Sequence, residues 1–300
     1  MTAFLLYLYA ESPLHAGAAA SDGVLDLPIQ RESSTNYPLI WGQSLKGALR
    51  QTARDAGWSE DTLKEVFGSE PGEGEETTPG KLAVGDAQLV ALPVPTLRRS
   101  FAWVTSRLAL SRLARKYAII NGPHVVLPEV PNPADGEGSC GRGFWGGETP
   151  AVLGPCLVKL HNPRGGGDAP DPVTDWARLL AADAIGDAPH LRPFASKLAE
   201  DLLVVGSEPM SVLLRECTEF AVRVQLHRQQ KLVQNGPFVS EYLPAETILA
   251  SVLTLRGKYA PEEVQQLRDL VNHSLLQVGG DETLGKGLVW TRIVEGERNG

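Results

Sequence analysis

Apolar side chains fill nearly every position from 2 to 10 of the opening MTAFLLYLYAESPLH, and the run stops at Glu11. This pattern predicts a first strand and is too short for a membrane span. Over residues 43–57 the period changes. Leu45 and Leu49 stand four apart with Ala48 beside them, so a helix starting near Gln43 or Ser44 lays an apolar stripe on a sheet. Further along, the pattern predicts a strand over 81–91 with a turn at Gly85-Asp86, a helix over 100–117 and a short strand within 151–160, flanked by Gly-rich loops at 136–147 and 162–168. Helical pieces follow at 175–184 and 194–204, then an extended run at 220–227, a long strand at 241–256, a last helix at 264–276 and a last strand at 288–294. Asn235-Gly236 is a strong turn dipeptide and predicts a hairpin over 220–243. Strand, helix and strand, then a second such unit after irregular insertions, predict an α+β fold with helices on one face of the sheet. No period of about 20 to 50 residues repeats, which excludes a solenoid. A single domain, 1–300, holds these elements, with residues 59–80 an acidic flexible insertion and residues 121–215 an insertion of unassigned role.

Composition changes this picture little. An apolar fraction of 42% over 300 residues supplies a real core. The N-terminus has no basic region and no small-residue cleavage site, so neither a signal peptide nor a membrane partner is expected. Cys140, Cys156 and Cys217 are odd in number and form no CxxC pair, which suits a reducing, cytoplasmic compartment. With His161 two of them lie close in sequence, yet their spacing matches no standard zinc pattern.

Charge matters through its distribution. The net charge of −8 argues against a phosphate-rich partner. Residues 87–128, however, contain no Asp or Glu and carry Arg98, Arg99, Arg107, Arg112, Arg115 and Lys116, while acids collect in 59–80. An acidic chain arranged in this way can still present a basic groove.

Candidate chemistry begins at GVLDLPIQRE, residues 23–32, which sets Asp26 in a Gly/Pro-bounded loop. A lone loop Asp reads equally as an Asx-turn or cap residue, and nearby Asp22-Gly23 reads as a turn. The helix that follows carries Lys46, Arg50 and Arg54 on one face, and nothing acidic lies between Glu32 and Asp55. Near the C-terminus, Gly280, Gly285 and Lys286 satisfy GxxxxGK. Gly287 nevertheless replaces the magnesium-ligating Ser or Thr, and the loop runs from helix to strand, so this is no nucleotide-hydrolase loop. Its glycines can still bring backbone N–H groups close to a phosphate.

LHAG at 14–17, GVLDLPIQRE at 23–32, SLKGALR at 44–50, SFAWVTS at 100–106, EYLP at 241–244 and GGDETLGKG at 279–287 together resemble the RAMP superfamily. Within it they are most similar to the repeated backbone subunit of the type III-B CRISPR (Cmr) effector complex. The resemblance implies a modified ferredoxin-like or RRM-like core with large insertions in a palm-and-thumb shape. It implies copies stacked as a helical filament on guide RNA, each displacing a base at a regular interval, with other Cmr subunits as further partners. It also implies metal-dependent endoribonuclease cleavage of the complementary target RNA, with Mg²⁺ or Mn²⁺ as cofactor and the essential acid in the loop holding Asp26.

On that resemblance Asp26 is the catalytic acid and metal ligand, acting while the RNA 2′-hydroxyl, phosphorus and leaving oxygen are brought into line. His15, Glu241 and Tyr242 are secondary catalytic candidates, His15 because histidine is the side-chain type suited to proton transfer at neutral pH. The 220–243 hairpin is the candidate thumb, with Arg223, His227, Arg228 and Lys231 facing RNA. Lys46, Arg50, Gly279, Gly280, Lys286 and Gly287, with Arg98 and Arg99, are the candidate phosphate contacts. Two alternatives remain: a non-catalytic RNA-binding scaffold in which Asp26 is a turn residue, and a metal-independent guide-processing ribonuclease that relies on His15.

Overall fold

The computed structural model describes residues 2–18, 26–70, 78–142, 150–162, 170–227, 233–257 and 261–296. The first half contains β1 (Thr2–Ala10), β2 (Leu39–Ile40), α1 (Gly42–Asp55), α2 (Glu60–Phe67), β3 (Leu82–Val84), β4 (Ala87–Thr96), β5 (Ser100–Ser106) and α3 (Arg107–Asn121). Then come β6 (Glu137–Cys140), β7 (Ala151–Leu153), β8 (Cys156–His161), α4 (Pro172–Leu180), which runs into a π-helical turn (Ala181–Ile185), α5 (Arg192–Asp201), β9 (Leu202–Val205) and α6 (Ser207–Glu216). The chain ends in β10 (Glu219–Leu226), β11 (Val233–Tyr242), β12 (Ile248–Leu255), α7 (Pro261–Val271), β13 (Ser274–Gln277) and β14 (Leu288–Glu295).

Four strands and two helices form the core. β14, β1, β12 and β4 lie side by side in that order, all antiparallel, with α1 between β1 and β4 in sequence and α7 between β12 and β14. This is the ferredoxin-like order of two split βαβ units. Everything from residue 97 to residue 247 is inserted between the second and third core strands. Part of that insertion extends the same sheet through β5, β9, β6, β8 and β7, and a pairing of Thr96 with Leu153 brings β7 back to β4. Residues 121–215 therefore supply β6–β9 and α4–α6. β10 and β11 stand apart as a two-stranded ribbon.

Helices cover both faces of this sheet, and not one as the pattern suggested. Phe4, Leu6 and Leu8 of β1 pack with Leu45 and Leu49 of α1 and Leu267 and Leu270 of α7. Leu5, Tyr7 and Tyr9 pack on the opposite side with Leu110 and Leu113 of α3 and Trp176 of α4. A strand buried on both faces loses the apolar–polar alternation, which is why residues 2–10 read as one continuous run.

Several boundaries differ from the sequence reading: the helix expected over 194–204 ends at Asp201, where β9 begins, and β6 lies within the stretch read as a Gly-rich loop at 136–147. SFAWVTS is strand β5, held by antiparallel β4 and parallel β9, and α3 starts only where the Ser106 side chain caps Ala109 N–H. The 264–276 segment breaks into α7 and β13 around His273, which sits at φ +57°. The long strand at 241–256 is interrupted by Pro244 and by Glu246 at φ +69°. Asn235 pairs with Gln225 inside the ribbon, so the hairpin turn is not at Asn235-Gly236, and its connection includes residues 228–232, outside the described residues. The acidic stretch at 59–80 also contains order, because α2 is capped by Ser59 and buries Leu63, Val66 and Phe67.

Glu246 is an exception in the interior. Its backbone is fully used, with N–H to the Ala10 carbonyl at 2.7 Å and carbonyl accepting from Trp103 Nε1 at 2.8 Å, but its carboxylate Oε2 is buried without a partner. Burial pushes this carboxyl up to about 7. A raised folded-state value means that the native state holds the proton more tightly, so stability falls as pH rises from the ordinary carboxylate range through about 7. Glu246→Gln is expected to raise Tm by about 2–4 °C at pH 8 and to leave it unchanged at pH 4, read by thermal unfolding across pH.

Candidate functional site

The loop that leaves β1 and the Gly-rich loop between β13 and β14 lie against each other. Gly280 N–H donates to the His15 carbonyl at 3.0 Å and Gly287 N–H to the Pro13 carbonyl at 2.9 Å. Gly279 and Gly287 have φ of +84° and +81°, and a Cβ on either would overlap a backbone carbonyl, that of His15 or of Val278. The close approach predicted for a phosphate is thus used by the chain itself, and the N–H groups of Gly280 and Gly287 are already engaged. Lys286, by contrast, extends its ammonium over the Tyr242 ring, 5.2 Å from the centroid.

His15 is 8% exposed, and its Nδ1 lies 2.8 Å from the Glu241 carbonyl oxygen. A carbonyl only accepts, so Nδ1 carries the proton and Nε2 keeps its lone pair in the neutral ring. The ring tilts against Tyr242 with centroids 5.5 Å apart. Tyr242 donates its hydroxyl proton to Asp281 Oδ2 at 2.7 Å, and Arg223 grips both oxygens of the same carboxylate at 2.8 Å. The Arg223 guanidinium holds Asp281 below the usual carboxylate range, with the Tyr242 hydroxyl adding to it. Asp281 is the hub that sequence reasoning missed. It lies inside GGDETLGKG, where only its left-handed φ of +63° marks it, a signal that composition does not carry. Arg223, expected to face RNA, is committed to Asp281 and to Ser240 Oγ at 2.7 Å.

Asp26 sits at the foot of the ribbon. Residues 26–29 run along β11: Leu27 N–H donates to the Val239 carbonyl, Glu241 N–H to the Leu27 carbonyl, and Val239 N–H to Asp26 Oδ2 at 2.8 Å. The Asp26 carboxylate is exposed, and its other oxygen has no protein partner among the described residues. Glu241, in contrast, is 3% exposed and fully occupied, with Oε1 2.5 Å from Arg31 and Oε2 accepting Ile29 N–H at 3.1 Å. It clamps the Asp26 segment to β11. Asp22 lies outside the described residues, as do Arg228 and Lys231, while His227 directly follows β10.

On α1, Lys46 is half-buried beside Arg50 and Arg256, and burial and these neighbouring cations pull its ammonium below the usual lysine value. Arg50 reaches the Gly68 carbonyl at 3.0 Å and Glu70 at 3.5 Å, and Arg54 pairs with Glu70 at 2.7 Å. No anion answers Lys46 among the described residues. The basic stretch at 87–128 is less available than its charge suggested. Arg99, in the β4–β5 turn next to Arg98, pairs with Asp201 at 3.0 Å, Arg112 pairs with Glu32 at 2.8 Å, and Lys116 donates to Gln88.

Among the described residues no three His, Cys, Asp or Glu side chains converge to hold a metal ion. Cys140 is buried, and that burial pushes its thiol up to about 11. Asp26 offers one open carboxylate oxygen. That suits a hard ion of the Mg²⁺ type, which commonly takes one or two carboxylates and completes its shell with substrate phosphates and water.

A family model described as the RAMP superfamily matches residues 7–290. The CRISPR system Cmr endoribonuclease Cmr4 of Pyrococcus furiosus is 27% identical over 307 residues, covering 100% of this chain and 98% of that protein. The crystal structure of oligomeric Cmr4 from the same organism is similar with a TM-score of 0.73 at 24% identity, covering 99% of this chain and 100% of that one. The cryo-EM structure of type III-B Cmr-beta bound to cognate target RNA contains a chain similar with a TM-score of 0.68 at 22% identity, covering 98% and 97%. At those identities the two structural likenesses speak to the fold. No helix among the described residues is long and apolar enough to cross a membrane.

The contact between the two loops can be tested by comparing Gly279→Ala with Gly285→Ala. Both positions have positive φ, but only at 279 does a Cβ meet backbone. Gly285→Ala is expected to cost about 1–2 kcal/mol in urea unfolding. Gly279→Ala should cost more, because the His15 carbonyl must also move, and equal losses would remove the close approach from the account.

Proposed function

The chain belongs to the RAMP superfamily, and from that premise we propose that it is a backbone subunit of a type III-B CRISPR effector that lies along guide RNA and cleaves the complementary target RNA, with Asp26 the essential acid. The observation that carries this reading is the Asp26 carboxylate, exposed, fixed by Val239 N–H at 2.8 Å and clamped from behind by the Arg31–Glu241 pair. A full-length likeness to a protein named an endoribonuclease supports it.

In this reading Lys46, Arg50 and Arg256 hold the guide backbone, because a phosphate offsets the burial and the neighbouring cations that depress Lys46. Lys286, over the Tyr242 ring, adds a cation at the edge of the site. Base pairing then supplies the sequence, and the protein reads backbone and shape. Asp26 Oδ1 is the group that meets the reacting phosphate. Mg²⁺ or Mn²⁺, when bound there with phosphate oxygens, would offset charge on that phosphate. His15, with Nδ1–H fixed on a carbonyl, presents Nε2 as the atom that takes or returns a proton during attack by the RNA 2′-hydroxyl. Tyr242 already donates to Asp281, so its part is to hold the loops together, and Glu241 orients the Asp26 segment. Target RNA, other copies of this chain and the remaining subunits of the effector are its partners. Three free thiols suit work in the reducing cytoplasm.

The bond from Val239 N–H to Asp26 also favours a second reading, a scaffold in which this Asp is a strand-edge fixture. Asp26→Asn, nearly isosteric, separates the two. In the reconstituted complex with Mg²⁺ it is expected to bind target and to slow cutting by about 10² or more, read as regularly spaced fragments. Fragments at the wild-type rate would make the chain a scaffold. Lys46→Ala is expected to weaken guide binding for every sequence alike and to lower the slope of log K against log salt by about 1.

A further inference from the structure

β5 and β9 run parallel as neighbours, with Ser106 opposite Val205 at their ends. Each passes directly into a helix, β5 into α3 at Arg107 and β9, after Gly206, into α6 at Ser207. The ends of these strands open into a cavity of about 450 Å³, lined also by Asn132, Pro133 and the turn that carries Thr35 and Tyr37. The loop before β6 is pressed against the start of α6, because a Cβ on Gly206 would meet the Ala134 carbonyl oxygen at 2.3 Å.

Two side-chain observations point to an acceptor in this cavity. Tyr37 and Ser106, 7% and 4% exposed, hold their hydroxyl oxygens 2.5 Å apart. Two hydroxyls carry two protons, one of which lies between them, and Ser106 Oγ already accepts Ala109 N–H at 3.2 Å. Whichever hydroxyl donates, the other proton is left in the cavity wall without an acceptor among the described residues. Arg107, on the same wall, has neither an ion-pair partner nor a hydrogen-bond acceptor among the described residues.

The rest of the lining decides the class of ligand. It adds the hydroxyls of Ser111, Ser207 and Ser211 and contains no Asp or Glu, so nothing in it repels a doubly charged group. A phosphate monoester offers three terminal oxygens that accept from a guanidinium and several hydroxyls at once, more than a carboxylate can. The carboxyl ends of parallel strands, where helices start side by side, suit the same charge. Leu108 and Val205 supply an apolar wall for the remainder of the molecule, and the volume falls within the range of small-molecule sites. We propose that this cavity binds a phosphate monoester of a small molecule, with Arg107 pairing the phosphate and the Tyr37–Ser106 couple donating its spare proton to it. Asp26, His15 and Lys46 do not line the cavity, and the inference goes beyond the RNA-cleaving reading without depending on it.

The test titrates the full-length chain, free of RNA, with inorganic phosphate, adenosine 5′-monophosphate and adenosine in a calorimeter. The two phosphates are expected to bind with dissociation constants of about 1 mM or tighter, and adenosine is expected not to bind. Arg107→Gln should weaken the monophosphate about tenfold or more and Tyr37→Phe about threefold, while Lys46→Ala, which removes a cation assigned to guide RNA, leaves it within roughly twofold. Thermal unfolding without ligand checks that each variant is folded. Should Tyr37→Phe unfold, Arg107→Lys, which keeps the charge and loses the fork, is expected to weaken the monophosphate about threefold in its place. The site is overturned if neither phosphate binds, if adenosine binds as well as its monophosphate, or if Lys46→Ala and not Arg107→Gln removes the binding. A single-stranded RNA of about ten nucleotides without terminal phosphates that binds through Arg107 where the monophosphate does not would also overturn it, in favour of an RNA backbone.

Discussion

Two backbone hydrogen bonds, Gly280 N–H to the His15 carbonyl and Gly287 N–H to the Pro13 carbonyl, fasten the last loop of the chain onto the first. They exist only because Gly279 and Gly287 carry no side chain where the backbones cross. On this junction hang His15 on one side, and Asp281 and Lys286 on the other. Asp281 in turn gathers Tyr242 and Arg223 from the ribbon, so four segments far apart in sequence share one polar centre. The chemistry attributed to the site depends on that junction before it depends on any single side chain.

The second constraint is the sheet beneath it. β1 is hydrogen-bonded on both edges, to β12 and β14, and buried on both faces, with Leu8 in the core on one side and Tyr7 in the core on the other. Its C-terminal end releases the loop with His15, and the start of β12 follows the segment with Glu241 and Tyr242. Asp26 is placed differently. Its short segment is a guest strand on β11, kept there by the buried Arg31–Glu241 pair, and removal of either partner would strand a charge.

Much of this was legible in the residues and some was not. The core strand at 2–10, the helix bearing Lys46 and Arg50, the paired ribbon and the final strand follow from local period, because each has one dominant neighbour that period describes. SFAWVTS misled because a seven-residue strand running straight into a helix offers no break in apolar content, and only the Ser106 cap marks the join. Helices on both faces were hidden because α3 and α4 come from an insertion whose docking depends on tertiary packing. At the site, Asp26, His15 and Tyr242 were named from motif blocks, whereas Asp281 was passed over because its role arises from partners 39 and 58 residues away. Glu241 was named as a secondary catalytic candidate, yet its carboxylate is spent on Arg31, a pairing across 210 residues that sequence order does not display.

The insertion between β4 and β12 carries a cost of another kind, one of time. During synthesis β1 leaves the ribosome well ahead of its two neighbours, since β12 begins at Ile248 and β14 at Leu288. Until then the nascent protein holds a nine-residue strand with no edge partner and two greasy faces, and contacts this distant in sequence form slowly. A chain built in this way keeps that strand's apolar side chains in search of partners until its C-terminal third is made.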